Sequence, residues 1–380
     1  MNQKNKLSPA EMGRYARHIT IPEFGLEGQQ KLKDGRVLVI GSGGLGSPAL
    51  LYLAAAGVGH IGIVDFDTVD ESNLQRQVLF NVGDVGHSKA ETAKARLEAL
   101  NPHINIRVYE TRFSRENALD LVRDYDVVAD GTDNFPTRYL VNDACVLAGK
   151  VNVYASIFQF EGQVSVFNYL HKDGTRGPNY RDMFPEPPPP GLVPNCAEGG
   201  VLGVLPGIIG SMQASEVIKV LTGVGEPLAG RLFLFDAASF TTRILKVQKS
   251  PDTRITELIN YEQFCGIEPP KEQKPVKEVT VQELNRLIIE GEDFQLIDVR
   301  EPHEYAIANL DGELIPLGTI AAAANRISRE KQVIVHCRSG VRSANAIREL
   351  ESLFGFENLY NLKGGILAWS KEIDSSVPAY

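Results

Sequence analysis

The sequence contains few cysteines, and none of them lies close to another. The four cysteines of the 380-residue chain are at positions 145, 196, 265 and 337, and no two form a Cys-x-x-Cys pair. Disulfide scaffolds need many cysteines, and zinc sites need closely spaced pairs. The pattern therefore argues against both, and it predicts reduced thiols in a cytoplasmic protein.

Long apolar runs and an excess of positive charge are also missing. The longest apolar stretch, residues 200–210, is interrupted by glycines and Pro206 and is far shorter than a membrane span. The first residues, MNQKNKLSPAE, lack the apolar core of a signal peptide. The formal charge of −9 argues against a nucleic-acid-binding protein, which normally carries a basic face. We expect a protein that binds neither membranes nor nucleic acid.

Strands and helices alternate over the first 250 residues. Runs rich in β-branched residues predict strands at 36–40, 61–65, 104–109, 126–130 and 151–155. Helical stretches separate them at 46–56, 88–100, 115–123 and 135–149. This alternation predicts an α/β fold with a doubly wound, Rossmann-like and mostly parallel sheet. Runs at 162–168 and 231–236 are expected to extend it with antiparallel strands, joined by a proline-rich crossover.

The composition changes near residue 250. Charged and proline-bearing residues 251–275, which include Cys265, predict a linker. A smaller α/β domain follows at 276–380, with strands at 295–299 and 332–336. The predicted organisation is therefore a first domain at 1–250, a linker and a second domain.

A glycine-rich turn directly follows the first predicted strand. Gly41, Gly43, Gly44 and Gly46 lie in GSGGLG before a helix, and Asp65 ends the next strand about twenty residues further on. In such turns the glycines admit phosphate close to the backbone, the helix N-terminus attracts its charge, and the acidic residue binds ribose. A turn without a ligand is the alternative. The motif alone does not separate a nicotinamide cofactor from ATP.

The charged side chains that follow favour ATP. FDTVDESNLQRQ brings Asp67, Asn73 and Arg76 into one loop, and Lys89 opens a helix whose expected cap is Ser88. A cation in the first turn of a helix opposes the helix dipole, which makes sense if both face a shared anion such as a triphosphate. A solvated surface lysine is the alternative for Lys89 alone. With Arg76, and with Arg17 of the first helix, a cationic clamp is the better interpretation.

Two polar residues follow a later strand. Asp133 and Asn134 come after the run at 126–130, at the carboxyl edge of the sheet, where sheets of this type bind ligands. A carboxylate there can hold Mg²⁺ between phosphates. The alternative is that these residues cap the next helix.

These segments closely resemble the MoeB/ThiF adenylyltransferases, bacterial relatives of the ubiquitin-activating enzymes. The resemblance covers about residues 7–250 and is carried by GSGGLG, NLQRQ, GHSKAE, GTDN and PEPPPPGLVPNCAEGG. It implies a substrate, the C-terminal Gly-Gly carboxylate of a ubiquitin-like sulfur-carrier protein of the MoaD or ThiS kind. That carboxylate would attack the α-phosphate of ATP and release pyrophosphate.

The resemblance also implies roles for individual residues. The residues expected to bind ATP and Mg²⁺ are Gly41, Gly43, Gly44, Asp65, Asp67, Asn73, Arg76, Lys89, Asp133 and Asn134. Asp133 would hold the Mg²⁺, and Arg76 and Asp133 are the candidate catalytic residues. Arg17 would reach the nucleotide of the opposite subunit in a homodimer. Cys196 matches a cysteine that forms transient bonds with the carrier, and an inert thiol is the alternative.

The chain departs from this family in one respect. Relatives usually carry two Cys-x-x-Cys pairs that hold a structural zinc. The corresponding positions here read NYRDMF (179–184) and KSPDTR (249–254), so all four ligands are missing together. We therefore predict no zinc.

The last cysteine lies in a cationic loop. Cys337 follows a predicted strand, and CRSGVR adds Arg338 and Arg342 before the next helix. Backbone amides and a helix N-terminus would surround the sulfur and stabilise a thiolate or persulfide anion.

The second domain closely resembles a rhodanese over about residues 276–380, through CRSGVR, LIDVRE (296–301) and LKGGILAW (362–369). The resemblance makes Cys337 the persulfide carrier and makes Asp298 and Arg300 a structural ion pair beneath the loop. A cysteine desulfurase or thiosulfate would donate the sulfur. The alternative is a phosphatase, whose C-x5-R motif is matched by Cys337 and Arg342.

Three functions follow from these patterns. The leading one is an enzyme that joins an adenylyltransferase to a sulfurtransferase. The second is an NAD(P)-dependent oxidoreductase fused to a rhodanese, which uses the same glycines but leaves Arg76, Lys89 and Asp133 without a purpose. The third is a non-catalytic scaffold, against which the intact cationic and cysteine loops argue.

Overall fold

The computed structural model describes residues 6–188, 199–266 and 275–378. The chain divides into two compact units, Met1–Pro269 and Pro270–Tyr380. Each unit has its own sheet and its own buried hydrophobic clusters. In the described ranges, no helix combines the length and the apolar character that crossing a bilayer requires.

One mostly parallel sheet organises the described part of the first unit. Its strands are β1 (Arg36–Ile40), β2 (His60–Val64), β3 (Asn105–Tyr109), β4 (Val127–Asp130), β5 (Val151–Phe158), β6 (Glu161–Phe167), β7 (Arg231–Asp236) and β8 (Thr241–Lys246). Their spatial order is β3-β2-β1-β4-β5-β6-β7-β8, parallel as far as β5 and antiparallel beyond it. The predicted fold class is confirmed. The strand order reverses between β1 and β4, and ligands of such sheets bind at that point.

Helices cover both faces of this sheet. They are α1 (Pro9–Arg14), α2 (Ala16–Ile19), α3 (Gly25–Asp34), α4 (Gly46–Ala56), α5 (Lys89–Leu100), α6 (Ala118–Arg123), α7 (Phe135–Leu147), α8 (Tyr180–Met183), α9 (Leu205–Thr222) and α10 (Tyr261–Phe264). In β1, Val37 and Val39 enter one hydrophobic cluster while Leu38 and Ile40 enter the other. The strand is apolar on both faces because each face is covered, and this explains its unbroken hydrophobic run.

The first helix and strand β8 differ from the sequence-based expectation. The first helix is interrupted at Tyr15, so α1 and α2 are separate, although Ser8 and Glu11 form the expected capping box. Strand β8 was not predicted, because all six of its residues are exposed and its sequence, TTRILK, shows no alternation of polar and apolar residues.

The predicted linker needs correction over its first half. Residues up to 266 belong to the described part of the first unit, where Tyr261 and Cys265 are buried in the hydrophobic cluster beside α7. The Tyr261 hydroxyl donates a hydrogen bond of 2.8 Å to Asp143 Oδ2. Cys265 is therefore a packed residue and not a linker thiol. Its polar, charged neighbours in the sequence concealed this packing.

The second unit contains a smaller parallel sheet. Its strands are β9 (Glu278–Val279), β10 (Phe294–Asp298), β11 (Glu313–Leu314), β12 (Gln332–His336) and β13 (Leu359–Leu362), in the spatial order β11-β10-β12-β13-β9. Its helices are α11 (Val281–Glu290), α12 (Pro302–Ile307), α13 (Val341–Phe354) and α14 (Gly365–Glu372). The two strands predicted here correspond to β10 and β12, which are neighbours at the centre of the sheet.

Candidate functional site

A cleft of about 480 Å³ lies at the carboxyl ends of β1, β2 and β4. The predicted residues that line it are Gly41, Gly43, Gly44, Asp65, Asp67, Asn73, Arg76, Lys89, Asp133 and Asn134. Arg17 is exposed on α2 and is not part of this lining. Cys196 lies outside the described residues.

The glycine turn at one end of the cleft requires glycine at two positions. Gly41 has a φ of +87°, which L side chains rarely adopt. A Cβ atom on Gly46 would lie 1.9 Å from the carbonyl oxygen of Gly41. Asp65 closes the turn, because its Oδ2 accepts hydrogen bonds from the amide (2.8 Å) and the hydroxyl (2.7 Å) of Ser42. Its Oδ1 accepts one from the Asp67 amide at 2.9 Å, so the carboxylate keeps acceptor capacity for a ligand.

Two cations line the same cleft. Lys89 is only 5% exposed, and its Nζ lies 3.2 Å from Asp67 Oδ2, so Lys89 is not a solvated surface lysine. The Arg76 guanidinium donates to Asn73 Oδ1 at 3.1 Å and to the Ser72 carbonyl at 3.4 Å. These partners hold both positive charges on the cleft wall, where an anionic ligand would be stabilised.

Asp133 and Asn134 have different roles. The side chain of Asn134 caps α7 by accepting a hydrogen bond of 3.0 Å from the Thr137 amide. The cap interpretation therefore holds for Asn134. The Asp133 carboxylate is exposed to the cleft, and the hydrogen bond found for it is a long one, 3.5 Å, donated by the side-chain Nδ2 of Asn134. Asp133 thus remains the better candidate for a ligand to a cation.

Residues that were not predicted hold the Asp133 loop in place. Asp130 Oδ1 accepts hydrogen bonds from the amide (3.0 Å) and the hydroxyl (2.6 Å) of Thr132. Arg138 donates to the Thr132 carbonyl at 3.1 Å and also lines the cleft. Burial raises the pKa of Asp130, and the nearby Arg138 charge opposes that rise. A charged residue within the apolar helix sequence FPTRYLV was the available signal for Arg138.

Three further lining residues were missed. Arg112 lies with its guanidinium carbon 4.5 Å from the centre of the Phe66 ring, which gives the cleft a flat wall. Both residues follow strands that end at this edge of the sheet, so the argument used for Asp133 could have found them. Cys265 also lines the cleft, and burial raises its pKa to about 11. No signal in the sequence indicated that position.

The two segments that lack the family's cysteine pairs contact each other directly. The Ser250 amide donates to Asp182 Oδ1 at 3.0 Å. Next to this contact, Arg181 donates to both oxygens of Asp143 at 2.8 Å. In the part of the chain that the structure describes, no group of three or more His, Cys, Asp or Glu residues could hold a metal ion. The absence of zinc stays a prediction.

The second candidate site is the loop of Cys337, which follows β12. The Cys337 sulfur accepts a hydrogen bond from the Gly340 amide at 3.1 Å and lies 3.4 Å from the Ser343 hydroxyl. Gly365 lies against this loop, since a Cβ atom there would be 2.5 Å from the Cys337 carbonyl oxygen. The Ile366 amide donates to the same carbonyl at 3.0 Å. The segment LKGGILAW therefore fixes the position of the loop.

Charged residues around this loop are paired. Arg342 donates to both oxygens of Glu304, at 2.7 and 2.6 Å. Burial acts to raise the pKa of Glu304, but the hydrogen bonds from Arg342 and from the Glu301 backbone, together with the charges of Arg342 and Arg300, lower the pKa overall.

The expected ion pair beneath the loop is present. Arg300 and Asp298 have no exposed side-chain surface, and Arg300 Nε donates to Asp298 Oδ1 at 2.9 Å. His336 lies next to this pair, with its Nε2 atom 3.7 Å from Asp298 Oδ2. Burial lowers the pKa of His336 to about 4, so this ring is neutral at physiological pH.

Two known families match successive parts of the chain. Residues 15–256 match the ThiF family, and residues 280–372 match the rhodanese-like domain.

Some relatives match nearly the whole chain, and others match about two thirds of it. The probable adenylyltransferase/sulfurtransferase MoeZ of Mycobacterium tuberculosis (strain CDC 1551 / Oshkosh) is 50% identical, over 98% of this chain and 96% of the relative. The adenylyltransferase and sulfurtransferase MOCS3 of Drosophila grimshawi is 41% identical, over 99% and 87%. The sulfur carrier protein adenylyltransferase of Thermus thermophilus is 52% identical, over 68% of this chain and 97% of that relative.

A solved structure shares the fold of the first unit. The crystal structure of E. coli MccB with ATP has a TM-score of 0.55 and 24% sequence identity, and it covers 64% of this chain and 74% of that chain.

Proposed function

Because the chain belongs to the ThiF family and carries a rhodanese-like domain after it, we propose that it activates a ubiquitin-like sulfur-carrier protein with ATP and then supplies the sulfur. The chain is an adenylyltransferase and a sulfurtransferase, and its first activity uses ATP. Both family resemblances that the sequence indicated are confirmed. The oxidoreductase alternative finds no support among the relatives.

One observation carries the assignment of the nucleotide site. Lys89, Arg76 and Asp133 line a single cleft at the switch point of the sheet, together with the glycine turn. Two cations and a carboxylate suit a triphosphate with its divalent cation, whereas a dinucleotide would not need all three. Asp65 keeps an acceptor position for a ribose hydroxyl, and the flat wall of Phe66 and Arg112 fits a planar base.

The first reaction joins the carrier to the nucleotide. A carboxylate oxygen of the carrier's terminal glycine attacks the α-phosphorus of ATP, and the bond from that phosphorus to the β-phosphate oxygen breaks. The products are an acyl-adenylate and pyrophosphate. Arg76 and Lys89 neutralise the charge that develops on the phosphates, and bound Mg²⁺ would supply further positive charge there. Asp133 is the carboxylate positioned to hold that ion, since its own hydrogen bonding is weak.

The second reaction brings sulfur to the activated carboxyl group. Cys337 takes a sulfur atom as a persulfide, for example from thiosulfate, which leaves as sulfite. The terminal persulfide sulfur attacks the acyl carbon, and AMP leaves. The carrier is then joined to Cys337 through an acyl disulfide. A second thiol attacks the Cys337 sulfur, releases the carrier as a thiocarboxylate and remains bound to Cys337 as a disulfide. Cys196 is one candidate for that thiol.

Further parts of the proposal concern partners and cell compartment. Arg17 is exposed on α2 and is proposed to reach the nucleotide of the second subunit in a homodimer. The carrier is proposed to present a C-terminal Gly-Gly, and a cysteine desulfurase or thiosulfate is proposed as the donor. A cytoplasmic location agrees with thiols that remain reduced.

The test measures the two activities separately. ATP–pyrophosphate exchange should depend on a carrier with an intact C-terminal Gly-Gly and should stop when the last glycine is removed. Sulfur transfer from thiosulfate to cyanide should depend on Cys337 and not on the carrier. Exchange without a carrier, or tight binding of a nicotinamide cofactor in place of ATP, would contradict the proposal.

A further inference from the structure

The sulfur of Cys337 is in contact with a buried pair of polar side chains. Ser343 Oγ lies 3.4 Å from Cys337 Sγ and 2.6 Å from Asn361 Oδ1. Ser343 has no exposed surface, and Asn361 is only 4% exposed. The three residues come from the loop after β12, from helix α13 and from strand β13. Their contact is therefore a feature of the folded unit and not of one sequence motif.

The hydroxyl of Ser343 has a single hydrogen for two neighbours. A hydrogen directed at Asn361 Oδ1 leaves only oxygen lone pairs facing the sulfur. That arrangement suits a neutral Cys337 thiol, which can donate its own hydrogen. It does not suit an anionic sulfur, which needs a donor. The 2.6 Å contact between Ser343 Oγ and Asn361 Oδ1 is therefore the contact that suits an uncharged sulfur.

Asn361 can supply the other arrangement without moving its backbone. Its strand pairs with β12 on one side and β9 on the other, and the backbone amide of Asn361 donates a hydrogen bond to the Lys277 carbonyl at 2.8 Å. A half-turn of the side-chain amide exchanges Oδ1 for Nδ2 at the same place. Nδ2 then donates to Ser343 Oγ, and the hydroxyl hydrogen becomes available to the sulfur.

We propose that Ser343 hydrogen-bonds the anionic sulfur of Cys337, and that Asn361 is a positioning residue which turns its amide to direct that hydroxyl. This inference rests on the proposed role of Cys337 as the sulfur carrier. When thiosulfate meets the Cys337 thiolate, the outer sulfur forms a bond to Sγ, its bond to the sulfonate sulfur breaks, and sulfite leaves. The negative charge stays on the chain as a persulfide. The hydroxyl and the Gly340 amide stabilise the anion before and after this step.

Other charged groups around the loop do not change their protonation near neutral pH. Arg342 is paired with Glu304, and Arg300 is paired with Asp298. His336 is buried and neutral, and Arg338 keeps its charge at any pH of interest. A change in the pH response of Cys337 in a Ser343 or Asn361 variant can therefore be assigned to the altered residue.

The experiment measures alkylation of Cys337 by iodoacetamide against pH in the full-length protein. Mass spectrometry of the Cys337 peptide separates this reaction from alkylation of the other cysteines. Ser343→Ala removes the hydroxyl, and Asn361→Asp keeps the shape but offers acceptors only. We expect each variant to move the pH midpoint upward and to slow alkylation at neutral pH by about tenfold, as for the loss of one hydrogen bond to a charged group. Ser343→Thr keeps the hydroxyl and should retain the wild-type midpoint.

The control and the double variant test the positioning claim. Asn345→Asp adds the same charge to an exposed position of α13 and should leave the midpoint unchanged. The double variant Ser343→Ala/Asn361→Asp should match Ser343→Ala within about twofold, because Asn361 acts through the hydroxyl. A wild-type midpoint in Ser343→Ala overturns the proposal. If Asn361→Asp raises the pH midpoint of alkylation as much in the Ser343→Ala background as it does in the wild type, the role of Asn361 is overturned.

Sulfur transfer from thiosulfate is measured on the wild-type protein in parallel. A wild-type protein that transfers no sulfur counts against the proposed function, whereas an active wild type with unshifted variants counts against this inference alone.

Discussion

The Lys89 ammonium lies 3.2 Å from the Asp67 carboxylate, with only 7% of the lysine side chain and 52% of the aspartate side chain exposed. A buried cation needs a partner, and the partner here is well solvated and therefore compensates the charge only partly. The pair lies on the wall of the cleft that also contains Arg76 and Asp133. Lys89 is thus able to stabilise a bound polyphosphate.

Replacing Lys89 by alanine should nearly abolish adenylylation. We expect carrier-dependent ATP–pyrophosphate exchange to fall by about a hundredfold or more, as when one preorganised donor to a developing charge is removed. Sulfur transfer from thiosulfate to cyanide should be unchanged, because Lys89 belongs to the first unit. Lys94→Ala on the same helix, outside the cleft lining, is the control. Wild-type exchange in Lys89→Ala would remove this residue from the site.

The neighbours Asp133 and Asn134 should respond differently to mutation. Asp133→Ala should abolish pyrophosphate exchange with little change in stability, since the hydrogen bond found for its carboxylate among the described residues is a long one. Asn134→Ala should lower the free energy of unfolding by about 1 kcal/mol, because it removes the cap of α7. Exchange assays and calorimetry on both variants separate the two effects. A stability loss in Asp133→Ala as large as that in Asn134→Ala would contradict the assignment.

The sequence predicted those parts of the site that follow from the sheet. Asp65 and Asp133 could be placed together because parallel strands end at one edge, and the glycine turn marks where the order reverses. Lys89 was predicted from its place in the first turn of a helix. Arg112 and Arg138 were missed although each left a local signal, a position after a strand for Arg112 and a charge within an apolar helix for Arg138. Neither residue belongs to a recognised motif, so the sequence did not show that its charge faces the cleft.

The prediction from the sequence was wrong or incomplete where contacts between distant elements determine the packing. Residues 251–275 were predicted as a linker, but Tyr261 and Cys265 within that range are buried, because they enter a cluster formed by distant elements. The network of Asn361, Ser343 and Cys337 was invisible for the same reason, since its members lie on three different elements.

We predict that the first unit is held together without zinc. Metal analysis should find no stoichiometric zinc, and a chelator should leave the melting temperature unchanged. Arg181→Ala should instead destabilise the protein by about 3 kcal/mol, since it leaves the buried Asp143 carboxylate without its cation. Calorimetry of the full-length chain measures both. One zinc per subunit, or a melting temperature that falls with chelator, would show this prediction to be wrong.

The stability of the second unit should fall between pH 6.5 and pH 4. His336 has a pKa lowered by burial to about 4 from a usual 6.5, so in this range the unfolded chain binds the proton more readily than the folded one. The stability that comes from keeping His336 neutral is fully present above pH 6.5. The free energy of unfolding should be lower by pH 4 by on the order of 3 kcal/mol. Glu304 adds a further loss only below about pH 4.5, because its own pKa is lowered from that value.

Denaturant titrations followed by the fluorescence of Trp369 measure this effect, since the chain contains one tryptophan and it is buried in the second unit. His336→Gln should flatten the pH dependence above about pH 4.5, and His303→Gln at an exposed position should not. If the free energy of unfolding of His336→Gln depends on pH as strongly as that of the wild type, the effect belongs to another group.

The central claim is that one chain both activates and thiolates a carrier, and the mass of the carrier tests it most directly. The protein is incubated with ATP, Mg²⁺, thiosulfate, a reducing thiol and each candidate carrier with a C-terminal Gly-Gly, and the carriers are then weighed. We predict that one carrier gains the mass difference between one sulfur and one oxygen. Cys337→Ala should stop at the adenylated carrier, and Lys89→Ala should leave the carrier unchanged. A thiocarboxylate formed at the wild-type rate by Cys337→Ala, or no mass change in any carrier with the wild-type protein, would contradict the claim.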